Sequence, residues 1–239
     1  MKSIALVVNA RLDSTRVPNK MIRPFAGTTL IDIALNKLNV LSQLNIFDGP
    51  YLAAYDKELL YKCSSDYDYV KIIERGEEEV SKGIVDVETR FKYFQYIESD
   101  YVMLLNPCCP LVSELTILKA YYYFQDNDHK SYTSAIKTRD WIFDMDSTAI
   151  TRTDSSNVAT NKGDYFYKAT HMFHIIDRKR FIDTGKIWTF TEDDPHCVLV
   201  PENEFYDVDT EDEFHMTEFA YKRDQNEEHI VQKETKCQE

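Results

Sequence analysis

Short apolar runs alternate along this chain with stretches of helical periodicity. Ile4-Ala5-Leu6-Val7-Val8 is mostly β-favouring and reads as a buried strand. Thr29 with Asp32 marks a helix start, and Leu30, Ile31, Ala34, Leu35 and Leu38 recur behind it at helical spacing. Residues 51–55 predict a second strand. A short helix follows with Asp56 as N-cap and Leu59, Leu60 and Cys63 facing inward, and residues 70–73 predict a third strand. Strand, helix, strand, helix, strand is the signature of a parallel sheet covered by helices. Further on, Val87, Phe91, Phe94 and Ile97 form an apolar stripe that predicts a helix over residues 86–98, opened by Asp86. Residues 101–105 predict a central strand, and a helix opens at Ser113. Strands are predicted at 131–137 and 165–176, with a short helix from Asp177 to near Gly185.

Composition narrows the classes. With 239 residues, 43% hydrophobic and 29% charged, the chain can bury a sizeable core and is not of disordered type. Its net charge of −13 argues against a nucleic-acid binder, which needs a basic face. With six glycines, it carries neither G-x-G-x-x-G nor G-x-x-x-x-G-K-[ST], which disfavours a dinucleotide fold or a P-loop. No apolar run approaches the ~20 residues of a membrane span, and the N-terminus does not read as a signal peptide. Five cysteines (Cys63, Cys108, Cys109, Cys197, Cys237) lack C-x-x-C spacing, so their pattern points to neither a disulfide framework nor a zinc site and fits a reducing cytoplasm.

Two polar stretches stand out against this background. The first follows the opening strand: Asn9-Ala10-Arg11-Leu12-Asp13-Ser14-Thr15-Arg16-Val17-Pro18-Asn19-Lys20, with Arg23 just beyond. Cations gathered in one loop of an acidic chain, at the carboxyl end of a buried strand, suit phosphate; a merely solvated loop is the other reading. The second is Phe205-Tyr206-Asp207-Val208-Asp209-Thr210-Glu211-Asp212-Glu213-Phe214. Thr210 and Glu213 make a capping box, so a helix begins just after Asp209. In an extended segment Asp207 and Asp209 point to one side and can converge on a cation, naturally magnesium, or they can serve only as acids favouring a helix N-terminus.

The pattern Ala10-Arg11-x-x-Ser14-x-Arg16-x-Pro18-x-Lys20 resembles the nucleotide-binding motif of sugar-acid cytidylyltransferases, the CMP-sialic acid synthetases and their relatives. Gly27-x-x-Leu30-Ile31 resembles that family's entry into its first helix, and Asp207-Val208-Asp209-Thr210 its Asp-Ile-Asp-Thr motif. The resemblance implies that Ala10, Arg11, Ser14, Arg16 and Lys20 hold the triphosphate of CTP, with Arg11 and Lys20 on phosphate oxygens. It also puts Arg75 near the nucleotide, although an arginine paired with the surrounding glutamates reads equally well. Asn106-Pro107-Cys108-Cys109-Pro110-Leu111-Val112 resembles the family's Gln-Pro-Thr-Ser-Pro-Leu-Arg, departing from it at four positions. Asn106 keeps an amide for base or sugar on a shorter arm. His171 and His174 read as packed or hydrogen-bonded residues.

The implied fold is α/β: a mixed, mainly parallel sheet flanked by helices, of the nucleotide-diphospho-sugar transferase (Rossmann-like) type. It covers residues 1–223 with a dimerising extension at about 139–164, and a polar tail spans 224–239. The implied activity is CTP-dependent cytidylyl transfer to a sialic, legionaminic, pseudaminic or similar nonulosonic acid, with magnesium on Asp207 and Asp209 and a homodimer as the working form. A relative acting on ketodeoxyoctonic acid or another acceptor is the alternative, as is a nucleotide-binding regulator that has lost catalysis.

Overall fold

The computed structural model describes residues 1–81, 86–151 and 164–236. The opening apolar run forms strand β1 (Ile4–Asn9), and Thr29 caps helix α1 (Leu30–Ser42) by accepting from the Asp32 N–H at 3.2 Å. Strand β2 (Asp48–Ala54), helix α2 (Lys57–Asp66) and strand β3 (Lys71–Glu74) complete the first alternating set. Two one-turn helices follow, α3 (Glu77–Val80) and α4 (Val87–Arg90), then a 3-10 turn at Lys92–Tyr96. Strand β4 (Tyr101–Leu105) leads to α5 (Glu114–Asp126), β5 (Ser131–Thr138), β6 (Phe166–Asp177), α6 (Arg178–Thr184), β7 (His196–Leu199) and α7 (Glu211–Lys236).

Among the described residues seven strands form one sheet in the order β3-β2-β1-β4-β6-β5-β7. β6 is antiparallel to both β4 and β5, while the other neighbours run parallel, so the sheet is mixed and mainly parallel. Strand alternation divides the core. Ile4, Leu6 and Val8 face the helices α1, α2, α5 and α7, whereas Ala5 and Val7 face Tyr93, Phe94, Ile97 and Phe181. The strand order reverses between β1 and β4, whose carboxyl ends lie level through the pair Val8–Leu105. Such a switch point opens a crevice for ligands outside the strand ends.

The helix expected over residues 86–98 is broken. Asp86 caps α4, but the Arg90 carbonyl accepts from the Arg75 guanidinium, and the Phe94 N–H turns to Phe91 in a 3-10 bond. Tyr93 and Phe94 are therefore both buried, and Val87 is exposed. Asp56 sits at the N-cap of α2, yet its carboxylate accepts from the Leu12 N–H at 2.8 Å instead of capping the helix. Of the segment read as irregular, residues 141–151 form a small antiparallel finger. Ile150 donates to Ile142 at 2.8 Å, and Ile142, Phe143, Met145 and Ile150 are exposed. Asp154 and Ser155-Ser156-Asn157 lie outside the described residues, as does Cys237. The backbone of residues 224–236, read as part of a polar tail, continues α7. Cys63, Cys108, Cys109 and Cys197 are all free thiols, and no described helix is long and apolar enough to cross a membrane.

The register of β6 against β5 slips between Thr133 and Ala135. The buried Ser134 hydroxyl holds the irregular stretch, accepting from the Thr170 hydroxyl at 2.8 Å, the Met172 N–H at 2.9 Å and the Phe173 N–H at 3.3 Å. His171, at the crest, has φ of 54°, unusual for a side chain with a Cβ. Ser134→Ala leaves these buried donors without their acceptor and should destabilise the protein by about 1–3 kcal/mol, the cost of an unsatisfied buried group. Urea unfolding measures it; a midpoint unchanged from the wild type would show that Ser134 does not hold the bulge.

Candidate active site

The loop after β1 is built before it binds anything. Ala10 extends the ladder by one bond to the Ala53 carbonyl, and Asp56 then catches Leu12. The Ser14 hydroxyl accepts from the Val17 N–H at 3.3 Å, and Val17 and Met21 are buried as anchors. From the far side α7 clamps the loop. Phe214 meets the buried Phe25 edge-on at 5.3 Å, and Glu218 accepts from the Ala26 N–H at 2.8 Å. These contacts hold the backbone so that its cations converge.

They converge on a cavity of about 320 Å³ at the switch point. Ala10, Arg11, Ser14, Arg16, Lys20, Arg75 and Asn106, the seven positions predicted to meet nucleotide, all line it, as does Asp209. Arg11, Arg16, Lys20, Arg75 and Arg90 supply five cations against the two carboxylates of Glu79 and Asp209. In a chain of net charge −13 such local excess favours an anionic ligand. The cavity has room for several phosphate oxygens but no nucleophilic triad.

The cations are not equivalent. Arg16 pairs with Asp209 at 2.8 Å and keeps an exposed side chain, whereas the largely buried Lys20 donates to the Val208 carbonyl at 2.6 Å and lies 3.5 Å from Asp209. Arg11 donates to the Val80 carbonyl at 3.3 Å. Arg75 is 4% exposed. It donates to the Asn9 side chain and to the carbonyls of Glu79 and Arg90, and its Nε lies 3.7 Å from the Glu79 carboxylate. Arg75 is thus paired with a glutamate, as one reading of the sequence had it, and it also walls the cavity. Asn106 accepts from the Cys108 N–H at 2.9 Å and faces Cys109 Sγ at 3.4 Å, so its carbonyl oxygen already shapes the turn. Burial of Cys109 raises its thiol well above the ordinary value and leaves it a packing residue.

Asp207 and Asp209 behave differently although they share a segment. Asp209 lines the cavity with its two cationic partners. Asp207 lies outside that lining and is half-buried, with no hydrogen bond to its carboxylate among the described residues. Burial first, and then the charge of Asp209, raise its pKa, while Lys20 and His171 act in the opposite sense. Thr210 and Glu213 form the predicted capping box, with Thr210 N–H to Glu213 at 2.8 Å. Neither aspartate is needed as the cap.

Sequence reasoning missed Arg90, which was hidden in a stretch read for its apolar stripe, and Asn9, which orients Arg75. It also treated two histidines alike. His174 is packed, bonded to the Thr133 hydroxyl at 3.0 Å and pushed down to about 3 by burial. His171 is exposed, 3.4 Å from His174 and near enough to Asp207 to act on its carboxyl, because the β6 bulge lifts it out. No local sequence signal marks that bulge.

The profile of the family described as "Cytidylyltransferase" matches residues 5–230. No curated protein matches the sequence. Among solved structures, CMP:2-keto-3-deoxy-manno-octonic acid synthetase complexed with CTP is similar with a TM-score of 0.65 and 12% identity, covering 93% of this chain and 100% of that one. The 4-diphosphocytidyl-2C-methyl-D-erythritolsynthase from Anaerococcus prevotii DSM 20548 gives 0.62 and 15%, covering 91% and 97%. The bifunctional IspDF from Campylobacter jejuni gives 0.59 and 15%, covering 88% of this chain and 53% of that one. At such identities the likeness is one of fold.

The raised pKa of Asp207 has a definite sign. Below the ordinary aspartate pKa the residue is protonated in both states and costs nothing; as pH rises through its higher folded value, stability is lost. Near neutral pH, Asp207→Asn should therefore raise the melting temperature of the ligand-free, metal-free protein, and the gain should vanish in the acid window. Calorimetry across pH checks this; a lower melting temperature for the variant at neutral pH would mean that Asp207 has a stabilising partner.

Proposed function

The chain belongs to the cytidylyltransferase family, and from that premise we propose that it activates a sugar acid with CTP, giving a CMP-sugar and pyrophosphate. The single observation that carries the reading is the cavity at the switch point, where the seven predicted nucleotide positions, four of them cationic, meet with Arg90. A hydroxyl of the acceptor attacks the α-phosphorus. The new O–P bond forms as the bond to the β-phosphate oxygen breaks, and pyrophosphate leaves. Arg11, Arg16 and Lys20 bind the phosphate oxygens and offset the charge that builds on the leaving group. Arg75, fixed on four sides, keeps the wall in shape. Catalysis is positioning and electrostatics, so the lack of a nucleophilic triad in the lining is no obstacle.

Magnesium fits the residues present. Two carboxylates two residues apart, one of them without a hydrogen bond, are the oxygen donors this ion takes, and its charge would offset the burial and the Asp209 charge that raise Asp207. Asp207 and Asp209 would hold it, and when bound it neutralises phosphate charge. Asp209 then shares its oxygens with Arg16 and Lys20 or releases them to the triphosphate.

The preferred acceptors are nonulosonic acids. The cationic excess supports an acidic acceptor, and exposed His171, whose charge acts on Asp207, adds a polar group at the same end of the sheet. Ketodeoxyoctonic acid, an acid of the same chemistry, is the second acceptor on trial.

Pyrophosphate release, screened with four nucleoside triphosphates against a panel of sugar acids, tests the function. Release with CTP and one acid, lost in EDTA and lost in Asp209→Asn, is the expected result. Tight CTP binding with no turnover on any acid would replace the enzyme with a nucleotide-binding regulator.

We also infer a homodimer built on the finger at residues 141–151, whose exposed Ile142, Phe143, Met145 and Ile150 form an apolar surface. Sedimentation at micromolar concentration should give twice the chain mass, and a lower value for a chain with these residues changed to serine; a wild-type monomer would end the inference.

A further inference from the structure

At the far edge of the sheet three metal-ligating side chains meet that cytidylyl transfer does not use. His129 precedes β5 and is held by its own N–H, which donates to the Tyr132 hydroxyl at 3.0 Å. His196 opens β7 and is the cross-strand partner of Tyr132. Asp193 comes from the turn before β7, where it has φ of 60°. That turn is bolted down by the next residue. The fully buried Asp194 carboxylate accepts from Ser131, from the Thr189 N–H at 3.0 Å and from Arg180 at 2.9 Å. With Asp194 fixed inward, Asp193 is presented outward to the two imidazoles.

The imidazoles stack with centroids 3.8 Å apart and planes 7° from parallel, and the Nδ1 of each meets a different oxygen of Asp193. All three ligand atoms lie within 4.8 Å of one another. The Tyr123 hydroxyl lies 2.9 Å from His196 Nε2. A partner on the outer nitrogen fixes the tautomer and turns the inner nitrogen toward the ligand position, as it does in metal sites. Two neutral imidazoles and a carboxylate are donors for zinc and other borderline divalent ions rather than for magnesium. A tetrahedral zinc with bonds of ~2.0–2.1 Å holds its ligands about 3.3 Å apart, so the two Nδ1–carboxylate contacts must open to admit the ion and the stacked rings must turn toward it. Side chains with 23%, 49% and 24% exposure at His129, Asp193 and His196 have room to do so.

We propose that His129, Asp193 and His196 form a zinc-class metal site that ties the starts of β5 and β7 to the turn between α6 and β7. Three protein ligands leave a fourth position open. It faces a cavity of about 690 Å³ that Asp193, His196 and Tyr123 help to line and that shares no lining residue with the phosphate cavity. A water or an anionic group of a small ligand completes the coordination there. The same three side chains could instead form only a hydrogen-bonded cluster, and zinc distinguishes the two.

The chain, dialysed free of metal, is titrated with zinc alone in excess magnesium, which saturates Asp207 and Asp209. One zinc per chain at micromolar affinity or tighter is expected, with a rise in melting temperature. Asp193→Asn and His196→Gln should each abolish this binding, and Tyr123→Phe should weaken it by about 10–100-fold, the usual effect of removing an outer partner. Cobalt substitution of the unaltered chain guards against misfolded variants: a tetrahedral visible spectrum without a thiolate charge-transfer band supports the site. No zinc binding, binding that survives both ligand substitutions, or a thiolate band would overturn it.

Discussion

The Val208 peptide is the joint on which the active-site crevice depends. Its N–H donates to the Cys108 carbonyl at 3.0 Å and its carbonyl accepts from Lys20 at 2.6 Å. Three stretches far apart in sequence therefore meet at one buried residue: the loop after β1, the turn after β4 and the segment before α7. Asp209 completes the joint by taking Arg16 and Lys20. The two pairs differ in strength for a physical reason. Arg16 is exposed, so its pair with Asp209 contributes on the order of 0–1 kcal/mol and exchanges cheaply for a phosphate oxygen. Lys20 is largely buried and bonded to a backbone carbonyl, so it stays in place whichever anion arrives. One cation is on hand to move and the other is part of the frame.

That frame follows from topology. β1 and β4 are central and buried on both faces, which fixes the level of their carboxyl ends, and the reversal of strand order between them opens the crevice. β6 then runs the opposite way beside β4 and brings its own bulge, with His171, to the same end of the sheet. Helix α7 closes the arrangement by packing Phe214 against Phe25. A ligand in the crevice would touch elements from both ends of the chain and from its middle.

Most of this could be read from the chain because its signals are local. Strand β1, the Thr29 cap, the Ser113 cap and the Thr210–Glu213 box each depend on a few neighbouring residues, and the structure has them all. The cations of residues 11–20 were legible because they contradict the charge of the rest. What could not be read is set by partners distant in sequence. Asp56 looks like a helix cap until Leu12 takes its carboxylate, and the 86–98 stripe looks like one helix until Arg75 takes the Arg90 carbonyl. Arg90 and His171 have no local mark at all, since one is placed by that break and the other by a bulge held by Ser134.

Several departures from ideal local chemistry lie in or beside the crevice, and their position is informative. Arg75 Nε and Glu79 Oε2 are buried 3.7 Å apart without a hydrogen bond, in the wall that faces the predicted nucleotide. Asp207 is half-buried beside a like charge, and His171 holds a backbone angle that disfavours a side chain. Each departure costs folding free energy, and a sequence chosen for stability alone would remove it by a small substitution. Arg75 and Glu79 line a cavity with an excess of positive charge, and Asp207 belongs to the same segment as Asp209, which also lines it. On the proposed function a polyanion with its counter-ion would relieve several of them at once: the cation would offset the Asp207–Asp209 repulsion, and the phosphates would take over the arginine and lysine donors that Asp209 now holds. The charges in and beside the crevice are thus the complement in sign of the metal–nucleoside triphosphate proposed for it.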